Sequence, residues 1–384
     1  MKQNRFLYII ILLATAVVFR VFLVSLFDSD ITSVRILTVL IVLGGGAVFV
    51  LKGTAEIIEE TTEVLSEKTK LAGGLLQSFG TAFPDMVLGV IAALVSLRLK
   101  NTDYARAVNF AIIAAATTFG SNIYNVGHAA WCIFRQNLAN LKDKAVLMFP
   151  FAKKGGHVLP ISQHQAKPSL AEFDTAIDVS HALTLLTAVV ALSMVLFGQV
   201  ANPPYGFGGD LYQLIRPVGF VIFVLAVFIL YRFRKNMRQP PIGEEQEINY
   251  YRQRSGFVLW SNLFLAGVTI LLAAESMVRA IEVFCEITKI PFVVAGVLAG
   301  VIGCLGEMIV VHNFSVNPKG RLGDAVVGVA MDNIVTILGA SLVAIMGGIF
   351  LGGNALILIF VIILTLNTVL IWQISRLKNY FLSV

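Results

Sequence analysis

The chain has 384 residues, of which 57% are hydrophobic and 14% charged, and its formal net charge is +6. Soluble domains sit near about 45–50% apolar and about 25% charged, so this composition excludes an ordinary water-soluble domain. The basic excess does not call for nucleic acid, because membrane proteins concentrate Lys and Arg in cytoplasmic loops. Cys132, Cys285 and Cys304 are scattered and odd in number, which excludes a disulfide framework or a Cys/His metal centre.

A bilayer core of about 30 Å needs about 20 apolar residues in a helix. Ten segments meet that need: 5–27, 35–65, 72–99, 104–134, 179–200, 212–234, 256–286, 291–315, 321–347 and 352–376. The first follows Lys2 and Arg5 and ends in Leu26-Phe27-Asp28. It is longer than a signal-peptide core and lacks small residues at a cleavage point, so a retained helix is expected. The second carries Glu56, Glu59, Glu60, Glu63 and Glu67, so its far half is expected to leave the lipid. Gly44-Gly45-Gly46 is no phosphate loop, because no Lys-Ser/Thr follows, and reads as a place of close helix contact.

The resulting organisation has an additional N-terminal helix in 1–34, a first core in 35–134 and a loop over 135–178. Two more spans fill 179–234, a linker covers 235–255, and a second core with a last helix fills 256–384. With a cytoplasmic N-terminus, alternation puts 20 of the 29 Lys and Arg on that side and 5 on the other. That imbalance supports an even number of spans and a cytoplasmic C-terminus. The loop over 135–178 contains Phe149-Pro150-Phe151 and His157. Like the linker with Pro240-Pro241, it reads as a solvated basic segment facing anionic headgroups.

Acids inside spans are the most informative residues, since an ionised carboxylate at mid-helix costs about 2.5–3.5 kcal/mol on insertion scales. Asp85 lies in Gly80-Thr81-Ala82-Phe83-Pro84-Asp85-Met86-Val87. Glu307 lies in Gly303-Cys304-Leu305-Gly306-Glu307-Met308-Ile309-Val310. One helix after each acid comes an Asn-containing cluster: Gly120-Ser121-Asn122-Ile123-Tyr124-Asn125, and Met331-Asp332-Asn333-Ile334-Val335-Thr336. Ser121, Asn122 and Asn125 share one side of a helix, as do Asp332, Asn333 and Thr336. Alternation runs the two acid helices in opposite directions. Inverted repeats with interrupted helices are how many transporters build a midplane site.

Pro84 removes a backbone donor, and Gly303 with Gly306 permits a break in the second copy. Carbonyls freed at that depth must line a cavity or meet an ion. Hard cations such as Ca²⁺ take six to eight oxygens. Asp85 and Glu307 supply charge; Thr81, Asn122 and Asn333 supply neutral oxygens; Asp332 adds a third acid for a second cation or a proton. The expected fold is therefore an all-α polytopic membrane protein of about 10 transmembrane helices, with two inverted repeats whose broken helices meet at a midplane cation site.

These motifs resemble those of the sodium/calcium exchanger, or cation/Ca²⁺ antiporter, superfamily. Its repeats carry Gly-Thr-Ser-x-Pro-Glu in one helix and Gly-Ser-Asn-x-x-Asn in the next. The first pair here is close and the second looser. Asn317-Pro318-Lys319-Gly320-Arg321-Leu322-Gly323-Asp324-Ala325 resembles the family's basic linker. The resemblance covers about 50–134 and 265–347. It implies two five-helix halves, alternating access and antiport of Ca²⁺ against Na⁺, H⁺ or K⁺. No cofactor is implied; the partners are inorganic cations and the bilayer of the cell membrane. Asp85 and Glu307 stand at the paired acidic positions. Thr81, Ser121, Asn122, Asn125, Asn333 and Thr336 stand at neutral ligand positions.

Asp85 replaces the motif's Glu, which pulls the carboxylate back by one methylene, and several other departures fall on hydroxyls. Ala82 and Cys304 stand where a hydroxyl is usual, Gly303 replaces Thr, Gly306 replaces Pro, and Asp332 takes a Ser place. Sites of Na⁺ type are the ones these changes affect. Only one span follows the second repeat where two are usual, so helix 5–27 is expected to fill the missing place. His128, His181 and His312, near or within spans, are further proton-relay candidates. Two other classes are an intramembrane enzyme using Asp85 and Glu307, for which no Gly-x-Gly-Asp is present, and a non-transporting sensor or scaffold.

Overall fold

The computed structural model describes residues 5–69, 73–163, 167–204, 210–233, 250–317 and 322–383. Eleven α-helices carry the fold among them: α1 (Arg5–Val18), α2 (Thr32–Gly45), α3 (Lys52–Thr69), α4 (Gly73–Leu99), α5 (Tyr104–Lys142), α6 (Leu170–Phe197), α7 (Arg216–Phe233), α8 (Gly256–Thr288), α9 (Phe292–Val316), α10 (Leu322–Met346) and α11 (Gly353–Ser383). A π-helical turn over Phe19–Leu23 and a 3-10 turn over Val24–Asp28 extend α1. A second π-helical turn, Gly46–Leu51, joins α2 to α3. Four short strands form two antiparallel pairs, β1 (Val146–Leu147) with β2 (His157–Val158) and β3 (Leu211–Gln213) with β4 (Phe350–Gly352).

Eight helical stretches among the described residues are long and apolar enough to cross a bilayer, and α9 makes a ninth as a bent pair. The protein is an all-α polytopic membrane protein. The tenth expected segment, 104–134, is α5, the longest helix at 39 residues. Its Asn, Ser, Thr and Tyr residues dilute its apolarity, and α4, α9, α10 and α11 pack around it. Protein, not lipid, is its surroundings, so its composition need not match that of a lipid-facing span.

Helix ends place the connections. The α1–α2, α4–α5 and α8–α9 turns lie at one end, where Arg35 donates to Glu286 at 2.8 Å and Arg106 to Glu282. The β3–β4 pair joins the α6–α7 and α10–α11 connections at that same end, with Leu211 and Phe350 packed on Val108, Ala111 and Ile112 of α5. At the other end the β1–β2 pair lies against α5 and α9, and Lys378 of α11 donates to Asp174 of α6. It follows that α4 and α9 run in opposite directions, as do α5 and α10.

Three expectations need correction. Residues 170–178 are helix, not loop: Ser169 caps α6 by accepting from the Glu172 amide, the Ser-x-x-Glu capping box. Residues 135–142, also expected as loop, are the last turns of α5. Helix α1 does not take the place of a missing last helix. It packs on α8 and α3, where Arg20 holds Glu275 through bonds of 2.9 and 2.8 Å, whereas α11 packs on α5 and α6. That ion pair is half-buried between the two helices.

The α5–α9 contact is the most extensive in the protein. Small residues let membrane helices approach backbone to backbone. A Cβ added at Gly300 would stand 2.7 Å from the Ser121 amide nitrogen, and one added at Gly120 would stand 2.8 Å from Val297 Cα. Met277 of α8 lies against Gly46 in the same way, the close contact expected of the triple glycine, whereas nothing lies within 4 Å of a Cβ at Gly44. Gly300→Val should therefore cost about 1–3 kcal/mol or more through overpacking, read as a lower melting temperature in detergent. Gly44→Ala should leave it within about 0.5 kcal/mol of the parent.

Candidate functional site

The close α5–α9 crossing brings Asn125 to Glu307. Asn125 donates from Nδ2 to Glu307 Oε2 at 2.8 Å and, more weakly, to Asn333 Oδ1 at 3.3 Å. Three helices, α5, α9 and α10, thus meet at one carboxylate and two amides. Glu307 is 3% exposed, Asn125 1% and Asn333 0%. A hydrogen bond to an ionised group contributes about 1.5–3 kcal/mol, which offsets only part of the cost of holding a carboxylate this deep.

The bond network leaves oxygens and donors over. Neither amide atom of Asn122 has a hydrogen-bond partner among the described residues, nor does Asn125 Oδ1 or Asn333 Nδ2. Buried polar groups are nearly always paired, so several orphaned amides on adjoining helices mark a place built for something beyond the chain's own contacts. Ser121 Oγ donates to the Thr118 carbonyl at 2.9 Å, and Thr336 Oγ1 to the Asp332 carbonyl at 2.9 Å. Each hydroxyl spends its only proton on its own helix and keeps lone pairs to offer a cation.

Helix α9 turns by 53° between its two parts, Phe292–Leu305 and Glu307–Val316. The break falls immediately before Glu307, where Gly303 and Gly306 permit it, and bends of this size have such local causes. Helix α4 is helical from Gly73 to Leu99 with Pro84 inside it. The expected interruption is seen in α9.

Glu307, Asp332, Asn122, Asn125, Asn333, Ser121 and Thr336 are all buried on the three adjoining helices α5, α9 and α10. The side chains of Asp85 and Thr81 lie outside the described residues. Their helix is held close, since α4 packs on α5, α9 and α10, Met86 meets Gly339 of α10, and a Cβ at Gly89 would stand 2.5 Å from Thr118 Oγ1. Cys304 is fully buried and points its thiol at the Val301 carbonyl and Met308, the packing role of a small residue. Among the described residues no group of three or more His, Cys, Asp and Glu side chains is placed to hold a metal ion.

A charged seam was missed in the sequence. Glu275, Arg279 and Glu282 lie on α8, and Glu282, 3% exposed, accepts from both Arg106 and Arg279. Arg98 stands 3.9 Å from Glu275, and a cavity of about 210 Å³ opens among Val95, Arg98, Leu99, Arg106, Glu275 and Arg279. The signal was present: an i, i+4, i+7 stripe of charge inside the apolar stretch 256–286.

The chain is similar in fold to solved structures over nearly its whole length. One is an H⁺/Ca²⁺ exchanger, CAX, with a TM-score of 0.55 and 12% identity, covering 99% of this chain and 98% of that one. Another is YfkE in its native form, with a TM-score of 0.55, 14% identity and 97% coverage of each chain. No family model and no curated protein matches the sequence. At these identities the likeness defines the fold: this is a polytopic membrane protein with the exchanger architecture.

Asn125 and Glu307 should prove energetically coupled. Unfolding measured for the parent, Asn125→Ala, Glu307→Gln and the double variant should give an interaction energy of about 0.5–3 kcal/mol. Strict additivity would mean that the two side chains do not act as one unit.

Proposed function

We propose that this protein is a secondary active cation antiporter of the sodium/calcium exchanger superfamily, moving Ca²⁺ or a related divalent cation by alternating access. The observation that carries the reading is the buried Glu307 carboxylate at the bend of α9, bonded to Asn125 and surrounded by orphaned amides of α5 and α10. A broken helix beside a buried acid is the arrangement that presents carboxylate and backbone oxygens to an ion at mid-membrane. The exchanger fold and the two acid motifs in oppositely directed helices support the same reading.

In this proposal Asp85 and Glu307 carry the charge. Thr81, Ser121, Asn122, Asn125, Asn333 and Thr336 give neutral oxygens, and Asp332 holds a second cation or a proton. Residues 35–134 and 256–384 supply the two motif-bearing cores, related as inverted repeats. The N- and C-termini face the cytoplasm, on the side rich in Lys and Arg. The acids act as ion ligands and not as catalysts. Ca²⁺ exchanges against Na⁺ or H⁺, and the absent hydroxyls at Ala82, Gly303 and Cys304 weigh toward H⁺.

The test is flux. Protein in liposomes should take up ⁴⁵Ca²⁺ when a H⁺ or Na⁺ gradient is imposed, and Glu307→Gln and Asp85→Asn should each remove that uptake. Equal uptake in all three proteins would end the assignment. Which gradient drives uptake names the counter-ion.

A further inference from the structure

Toward the β1–β2 end from the Asn125–Glu307 pair lies an aromatic stack that the transport reading does not use. His128 lies one turn beyond Asn125 on α5, and His312 lies five residues beyond Glu307 on α9. At a rise of about 1.5 Å per residue these are steps of about 4.5 and about 7.5 Å toward the β1–β2 end. The two imidazoles stack with centroids 6.3 Å apart and planes 24° apart. Phe149, from the Phe149-Pro150-Phe151 tip between β1 and β2, lies almost parallel to His312 at 5.5 Å and also stacks on His128 at 6.3 Å. Helices α5 and α9 are thus bridged by three rings immediately beyond the carboxylate.

The hairpin that carries Phe149 is strapped down. Trp131 Nε1 donates to the Met148 carbonyl at 3.1 Å, Arg135 Nε to the Leu147 carbonyl at 2.9 Å, and Gln136 Nε2 to the Leu159 carbonyl at 2.7 Å. Asn140 accepts from the Ile161 amide at 2.9 Å. On the α9 side Gly156, in the left-handed region at φ 81°, leaves room for Val316, whose Cγ1 would be 2.8 Å from a Cβ there. Gly155 makes the same kind of room for the Phe149 ring, 2.8 Å from a Cβ. By contrast Phe151, two residues on, is fully exposed. A solvated linker has no reason to fix one of two neighbouring phenylalanines so closely and leave the other in water.

We propose that the β1–β2 hairpin is a built-in plug. Phe149, seated on His128 and His312, closes the loop-side entrance to the Asn125–Glu307 site, and ion access from that side requires the ring to leave. This rests on the reading of that pair as an ion site. It adds that the β1–β2 hairpin over 146–158 is part of the gate.

The native thiol of Cys304, buried on α9 one turn before Glu307, reports on access without any transport assay. The protein would carry Cys132→Ser and Cys285→Ser, leaving Cys304 as the single thiol, and sit in sealed vesicles of known orientation. A membrane-impermeant methanethiosulfonate is then added from the hairpin side. Modification should be slow in this parent and about tenfold faster in Phe149→Ala, the factor expected when ring contacts on two imidazoles are lost. Gly155→Ala, which displaces the ring without removing it, should accelerate it as well, while Phe149→Trp should stay slow. From the opposite side the rates should not change. Equal hairpin-side rates in the parent and both opening variants would overturn the plug. So would equal acceleration from both sides, which means general loosening. Because the readout is thiol reactivity, the plug can stand in a protein that moves no ion and fall in one that does.

Discussion

Everything at the centre of this protein depends on the distance between two backbones. Helices α5 and α9 touch at Gly120 and Gly300 with no side chain between them. Lipid offers little drive for helices to associate, so close van der Waals contact must supply it. Once the crossing is that tight, Asn125 is within 2.8 Å of Glu307, and α10 adds Asn333 to the same point. A larger residue at either glycine would separate the carboxylate from the amide that holds it.

Burial then decides what the site can do. A carboxylate at 3% exposure keeps its charge only if cations or donors compensate. The acids of α8 and of α9 have different neighbours. On α8 they are arginines, with Arg20 and Arg98 at Glu275, and Arg106 and Arg279 at Glu282. At Glu307 one hydrogen-bond partner is the neutral amide of Asn125, and amide atoms of Asn122, Asn125 and Asn333 stand unpaired among the described residues of α5 and α10. Fixed arginines make α8 a structural tie among α1, α4 and α5.

Much of this was legible in the residues. The membrane class followed from composition, and the acids and Asn clusters stood out because polar groups in apolar helices are costly. The break before Glu307 was signalled by its glycines. Other features were hidden for physical reasons. The boundary of α6 lay in a capping box within a stretch that looked like loop. The π-helical turns of α1 and α2 leave no composition signal. The place of α1 is fixed by Arg20 meeting Glu275, a contact 255 residues apart in sequence. The seating of Phe149 depends on a hairpin of two-residue strands, too short for periodicity to reveal.

The central claim is that Glu307 and the amides around it hold the transported cation. Anomalous diffraction from crystals grown with Mn²⁺ tests it without reference to flux. The account predicts a single strong peak within bonding distance of the Glu307 carboxylate, roughly 2–2.6 Å as hard cations take oxygen ligands. It further predicts that the peak is contacted by amide oxygens of α5 or α10 and is missing in Glu307→Gln crystals. A peak elsewhere in the membrane region, with none at Glu307, would contradict it.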